Sequence, residues 1–137
     1  MENRRPLILI VDDDRAVREL LKLHLVGEGY EVRLADDAII AGRSLMEAPP
    51  DLMLVDIALP YIDGVDFVGT LKAETAAPDI PIIFITGNPE VISRARLFDA
   101  PCLRKPFTAA QLVDAVRTEL ARHVPRMRAR LEHQANP

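Results

Sequence analysis

Three uninterrupted apolar runs constrain this chain most: Leu7–Val11 (LILIV), Leu52–Val55 (LMLV) and Ile80–Ile85 (IPIIFI). They are too short for helices and carry no polar face. Such runs suit strands covered on both sides, the environment of a parallel sheet. Tyr30–Leu34 is more mixed and fits an outer strand. Ala100–Arg104 is a weaker strand, and Pro101 argues for an edge position because proline cannot donate to a ladder.

Helical spacing fills the intervals. Val17, Leu20, Leu21, His24 and Leu25 recur with the period of a helix, which Gly27-Glu28-Gly29 brings to an end. Asp37–Glu47 reads as a second helix, stopped before Pro49-Pro50. Val65, Val68 and Leu71 mark a third, after an Asp63-Gly64 turn signal. Asn88-Pro89-Glu90 supplies an N-cap, a first-turn proline and a favourable acid for a short fourth. Thr108 and Gln111 have the spacing of a capping box for the last, with Leu112, Val113, Val116 and Leu120 inward. Five strands alternating with helices predict a doubly wound α/β fold.

At 137 residues the chain is long enough for one domain with a real core. Its net charge of −4 does not suggest a nucleic-acid surface. The end is locally basic, with Arg122, Arg126, Arg128 and Arg130 against Glu132. Pro125 is expected to bound the compact unit, dividing the chain into a domain over 1–124 and a tail over 125–137. That tail is an extension of the last helix or a disordered end, too short for a DNA-binding domain. Cys102 is the only cysteine, which excludes an intrachain disulfide and a cysteine metal cluster and fits a reducing cytoplasm. No apolar run approaches the ~18 residues of a membrane span. The basic N-terminus leads into a short run ending in aspartates, unlike a secretory signal.

In doubly wound folds ligands bind at the carboxyl ends of the strands. Those ends carry Asp12, Asp13 and Asp14 after the first strand, Asp56 after the third, Thr86 after the fourth and Lys105 after the fifth. Each alone has a plainer reading: Asp14 as a helix N-cap, Asp12 or Asp13 as a turn residue, Thr86 as a cap, Lys105 as a solvated charge. Together they describe a site. Two carboxylates about 4 Å apart repel by roughly 4 kcal/mol at an effective dielectric of ~20, so the cluster calls for a cation. Hard oxygen ligands favour Mg²⁺. A metal, a lysine and a hydroxyl around one carboxylate suit phosphoryl transfer, with Asp56 as nucleophile.

From Pro6 to Arg122 the sequence resembles the receiver domains of two-component response regulators. The resemblance rests on LILIVDDD, DLMLVDIALPYIDG, IPIIFITG and LRKPF, in that order. It implies a flavodoxin-like sheet of order 2-1-3-4-5 and residue-level roles. Asp56 matches the phosphorylated aspartate. Asp13 matches the direct metal ligand, Asp12 the acid acting through metal-bound water, and the Ala58 carbonyl the third protein ligand. Mg²⁺ is the implied metal, with Mn²⁺ as substitute. Thr86 matches the switch hydroxyl and Lys105 the phosphoryl-pairing lysine, with a cis Lys105–Pro106 bond. The implied donor is a sensor histidine kinase or a histidine phosphotransfer protein; no direct DNA contact and no membrane contact are expected.

Two departures stand out. Where the family commonly has a switch aromatic, this chain has Cys102. The Thr86–Lys105 segment is short, so the fourth helix is expected to be short or displaced, on a face where many receivers form homodimers or bind partners. These features also resemble an atypical subgroup with a Phe-Ala-Thr-Gly motif, although Ile85 stands in place of its alanine.

Two other functions compete. A haloacid-dehalogenase-type phosphatase would use Asp12 as nucleophile and Asp14 as general acid, with Thr86 and Lys105 in support. It leaves Asp56 without a role, and no late acidic metal motif follows Lys105. A phosphorylation-independent interaction module would keep the same residues idle.

Overall fold

The computed structural model describes residues 4–74 and 79–135, and the side chains of the last helix as far as His123. The arginines beyond Arg122 therefore lie outside the described side chains. Five strands form one parallel sheet in the order β2-β1-β3-β4-β5. They are β1 (Leu7–Val11), β2 (Glu31–Ala35), β3 (Leu52–Asp56), β4 (Ile82–Thr86) and β5 (Cys102–Arg104). Every residue of β1, β3 and β4 is buried, as expected of strands covered on both faces. β4 starts two residues later than its apolar run because Pro81 has no N–H for the ladder. Its carbonyl still accepts from Met53 N at 3.0 Å.

The strand pleat sorts the core into two layers. Leu9, Val11, Met53, Val55 and Phe84 face α2 (Ala38–Glu47) and α3 (Gly64–Ala73). Ile8, Ile10, Leu54, Ile83 and Ile85 face α1 (Arg15–Gly27) and α5 (Ala109–Ala135). Side-chain caps start the helices; those of Asp14 and of the Thr108–Gln111 box were anticipated from the sequence, and Asp37, read there as the first residue of its helix, is a cap as well. Asp14 accepts from Ala16 N and Val17 N at 2.9 and 3.3 Å. Asp37 accepts from Ile40 N at 2.8 Å. Thr108 and Gln111 exchange both capping-box bonds, at 2.8 and 3.0 Å. Gly29 ends the α1 turn at φ 93°, a conformation that costs glycine little.

The fourth helical segment is broken. A 3₁₀ turn (Pro89–Val91) leads into α4, one turn of α-helix over Ile92–Ala95, and a second 3₁₀ turn (Arg96–Phe98) follows. Asn88 caps the first turn by accepting from Glu90 N at 3.0 Å. Asp99, left-handed at φ 51°, ends the second. At the chain's far end, the backbone of α5 stays helical through Pro125, although proline has no N–H to continue the ladder. Among the described residues, no helix is long and apolar enough to cross a membrane.

Candidate phosphoacceptor site

Parallel strands in register deliver the chemistry to one edge. Val11 pairs with Val55 across β1 and β3, so Asp12 and Asp56 emerge side by side, and Thr86 ends β4 one residue beyond the Asp56–Ile85 pair. Asp12 leaves β1 fully buried, held by its N–H to Ala35 O at 3.1 Å. Its Oδ1 accepts from Asp14 N at 2.9 Å, and its carbonyl accepts from Arg18 Nη1 at 2.7 Å. Asp56 closes β3, also buried, and its Oδ1 accepts from Ala58 N at 2.9 Å. Lys105 reaches both carboxylates, with Nζ 3.2 Å from Asp12 Oδ2 and 3.1 Å from Asp56 Oδ2. The Lys105–Pro106 bond is cis.

Asp13 is exposed, yet it offers a carboxylate oxygen to the same place. One oxygen each from Asp12, Asp13 and Asp56 lie within 4.8 Å of one another. Three hard donors at that spacing fit a small divalent cation. Burial pushes the Asp12 carboxyl above its ordinary value, and the Asp56 charge adds to the rise; the Asp14 amide and Lys105 offset part of it. Burial opposes the Lys105 charge, but its bond to Asp56 and the charges of Asp56 and Asp12 outweigh this and hold its ammonium above the usual lysine value. Three carboxylates against one ammonium leave the cluster short of positive charge.

Thr86 closes β4, buried, with its hydroxyl turned to the following loop. Its Oγ1 accepts from Asn88 N at 3.0 Å and donates to Asn88 O at 3.3 Å. Its carbonyl accepts from Lys105 N at 2.7 Å, which ties β4 to the lysine's backbone. Cys102 is half-buried beside Phe84 in the β4–β5 register, and burial raises its thiol pKa. The Phe84 ring meets Phe98 of the second 3₁₀ turn at 6.3 Å between centroids. A cavity of about 470 Å³ opens beside Cys102, Arg104, Lys105 and Gln111.

Comparison with known proteins agrees with this geometry. Residues 8–117 match the response regulator receiver domain. This chain belongs to that family. A putative response regulator from Chloroflexus aurantiacus shares the fold at a TM-score of 0.80 and 34% identity, covering 86% of this chain and 99% of that one. The response regulator TrrA from Thermotoga maritima, solved in complex with Mg²⁺ and BeF, matches at 0.74 and 31%, covering 82% and 97%. RpaA of Synechocystis, a DNA-binding dual master transcriptional regulator, is 32% identical over 120 residues, 85% of this chain. The receiver spans about half the length of such relatives, 50% in the case of RpaA.

RpaA corrects one expectation. A receiver of this family is not to be set down as free of DNA contact, because relatives that share it are DNA-binding regulators. The net charge of a receiver segment carries no information about a DNA-binding segment elsewhere in a relative's chain. As a receiver, the protein is a signalling domain, and its acidic cluster is of a kind that could hold a metal.

Sequence reasoning left three contributors unassigned. Arg18 braces the Asp12 carbonyl from one turn into α1. Gly64 donates to Ile57 O at 2.8 Å and packs against the Asp56 carbonyl, where a Cβ would collide. Arg94 of α4 reaches α3, with Nη1 2.7 Å from Asp63 Oδ2 and Nη2 3.2 Å from Asp66 Oδ1. Only Gly64 had a signal, the Asp63-Gly64 pair, and it spoke of a turn.

Proposed function

We propose that Asp56 accepts a phosphoryl group from a phosphohistidine donor and that this receiver signals by the conformational change that follows. The observation that carries the reading is the pair of contacts from Lys105 Nζ to Asp56 and Asp12, 3.1 and 3.2 Å, beside an exposed Asp13. A carboxylate oxygen of Asp56 forms the new P–O bond as the donor's P–N bond breaks and its electron pair stays with the imidazole. Lys105 is placed to neutralise the transferred oxygens. The Thr86 hydroxyl, donating now to Asn88 O, can turn to donate to a phosphoryl oxygen.

Mg²⁺ suits the oxygen donors and would supply the charge neutralisation that the cluster lacks, with Mn²⁺ as a substitute. Asp13, Asp56 and the Ala58 carbonyl would hold it directly and Asp12 through water. The Mg²⁺ and BeF bound by TrrA, a relative 31% identical, support this assignment. The acceptor unit is taken as residues 1–124, the remainder of α5 as a tail, and the cytoplasm as its compartment.

Acyl-phosphate labelling with Mg²⁺ tests the reading. Wild type should incorporate label and lose it by hydrolysis, and Asp56→Asn should incorporate none. Label that survives in Asp56→Asn and disappears in Asp12→Asn would make Asp12 the nucleophile and overturn the assignment.

A further inference from the structure

The contacts around Thr86 and Asp56 form a chain that runs through Arg94. On one side, Thr86 holds Asn88 by two hydrogen bonds, Asn88 caps the first 3₁₀ turn, and that turn runs directly into α4. On the other side, Asp63 caps α3 by accepting from Asp66 N at 2.9 Å, and Gly64 rests on the Asp56 carbonyl. Arg94 joins the two sides through Asp63 and Asp66. Asp63, Asp66 and Gly69 follow one another at helical spacing along one face of α3. On that same face, a Cβ at Gly69 would touch Phe98 Cζ at 3.4 Å. The broken fourth segment is thus docked on α3 at two points, one ionic and one apolar.

Beside the contact with α3, Ala95 is buried in the core and Phe98 packs on Phe84, so the ionic grip adds to an apolar anchor. Ile92–Ala95 is a single turn, far below the length at which a helix is stable by itself, so its position is set by tertiary contacts. The ionic contact belongs to an arrangement in which the Thr86 hydroxyl donates to Asn88 O. When that hydroxyl donates to a phosphoryl oxygen instead, Asn88 loses the weaker of its two bonds to Thr86, and the segment carrying Arg94 is held less firmly to β4.

Resting on the phosphoacceptor reading of Asp56, we propose that Arg94 is an ionic latch: by gripping Asp63 and Asp66 it holds the fourth segment in the resting arrangement and opposes the switch that follows phosphorylation. A contact made only in the resting state lowers the population of the binding-competent state, and its removal tightens apparent affinity by the same factor. Arg94 is therefore a positioning residue, acting on the site through α3 and the Thr86–Asn88 loop.

The chain has no tryptophan to report on the loop, so the test is an NMR titration with Mg²⁺ and beryllofluoride, a phosphoryl mimic. Wild type is compared with Arg94→Gln, Asp63→Asn, the double variant and Arg94→Lys. Arg94→Gln should bind beryllofluoride about two- to five-fold more tightly, the range expected for a partly exposed ion pair. Asp63→Asn should shift the same way by less, because Asp66 remains. The double variant should bind no more tightly than Arg94→Gln alone, and Arg94→Lys should fall between wild type and Arg94→Gln. Ligand-free thermal stability should fall in Arg94→Gln, so binding and stability move in opposite directions, which a merely structural contact does not produce. Equal or weaker binding by Arg94→Gln, or multiplying effects in the double variant, overturns the latch alone. No response to beryllofluoride in wild type overturns both the latch and the phosphoacceptor reading.

Discussion

One backbone carbonyl limits what can follow β3. The Cα of Gly64 lies against Asp56 O, and an added Cβ would sit inside van der Waals contact with that oxygen and 3.0 Å from Asp56 C and Ile57 Cα. Its backbone is ordinary for a helix start, so the constraint is space and not conformation. Gly64→Ala must displace either α3 or the end of β3. Overpacking of this kind costs about 1–3 kcal/mol, read as a lower urea midpoint, and we expect slower labelling of Asp56 in the same variant. An unchanged midpoint would show that the approach is not tight. The residues of the candidate site were legible by position, because each ends or follows a strand: Asp12, Asp13, Asp56, Thr86 and Lys105 stand at the carboxyl ends, where a doubly wound sheet places its ligands. Gly64 was not, because turn preference says where a chain bends and not which atom the missing side chain makes room for.

Elements were legible where a local rule governs them. Buried runs became strands, and the capping box of Thr108 and Gln111 formed with both of its bonds. The fourth segment was legible only in part: the Asn88 cap formed, but it opens a 3₁₀ turn, and the segment's position depends on Arg94 meeting an acid 31 residues earlier. No local pattern announces such a pairing. It also gives α3 a pH signature. Burial works to raise the Asp63 carboxyl, but the Asp66 amide and Arg94 outweigh it and hold the carboxyl below its ordinary value of 3.8. A depressed carboxyl contributes stability that is present above the unfolded value and lost as pH falls through the folded one. Asp63→Asn keeps a capping oxygen and removes the charge. Its stability deficit should therefore be full at pH 7 and close once the pH falls below 3.8. Asp63→Ala also loses the cap, about 1 kcal/mol more, and should keep that part of its deficit in acid. Urea midpoints at neutral and acid pH decide this; an Asn deficit that persists in acid would rule out the charge as its cause.

At the scale of the whole molecule, the sheet gathers acids and a lysine from opposite ends of the sequence into a cluster with more negative charge than it can neutralise. Asp12 and Lys105 are 93 positions apart and meet at 3.2 Å. That arrangement could hold a cation, as proposed above, at the expense of the metal-free fold, and pH exposes the conflict. The buried Asp12 carboxyl lies above its unfolded value of 3.8, so between the two values the folded chain holds a proton that the unfolded chain has released. Metal-free stability should therefore fall as pH rises through that window. Lys105 acts at the other extreme: raised above 10.5, it contributes stability that is present below that value and lost as pH rises through the folded one. A cation bound only by the folded state stabilises it by about 2.7 kcal/mol at a concentration one hundred times its Kd. To receive it, the cluster must give up the Asp12 proton, so the gain must shrink as pH falls. We expect Mg²⁺ to raise Tm by several degrees at neutral pH, by clearly less as the pH approaches the Asp12 window, and with little pH dependence in Asp12→Asn. A Tm increment that is the same at both pH values in wild type would mean that Asp12 stays charged in the metal-free fold and that burial is not what governs its proton.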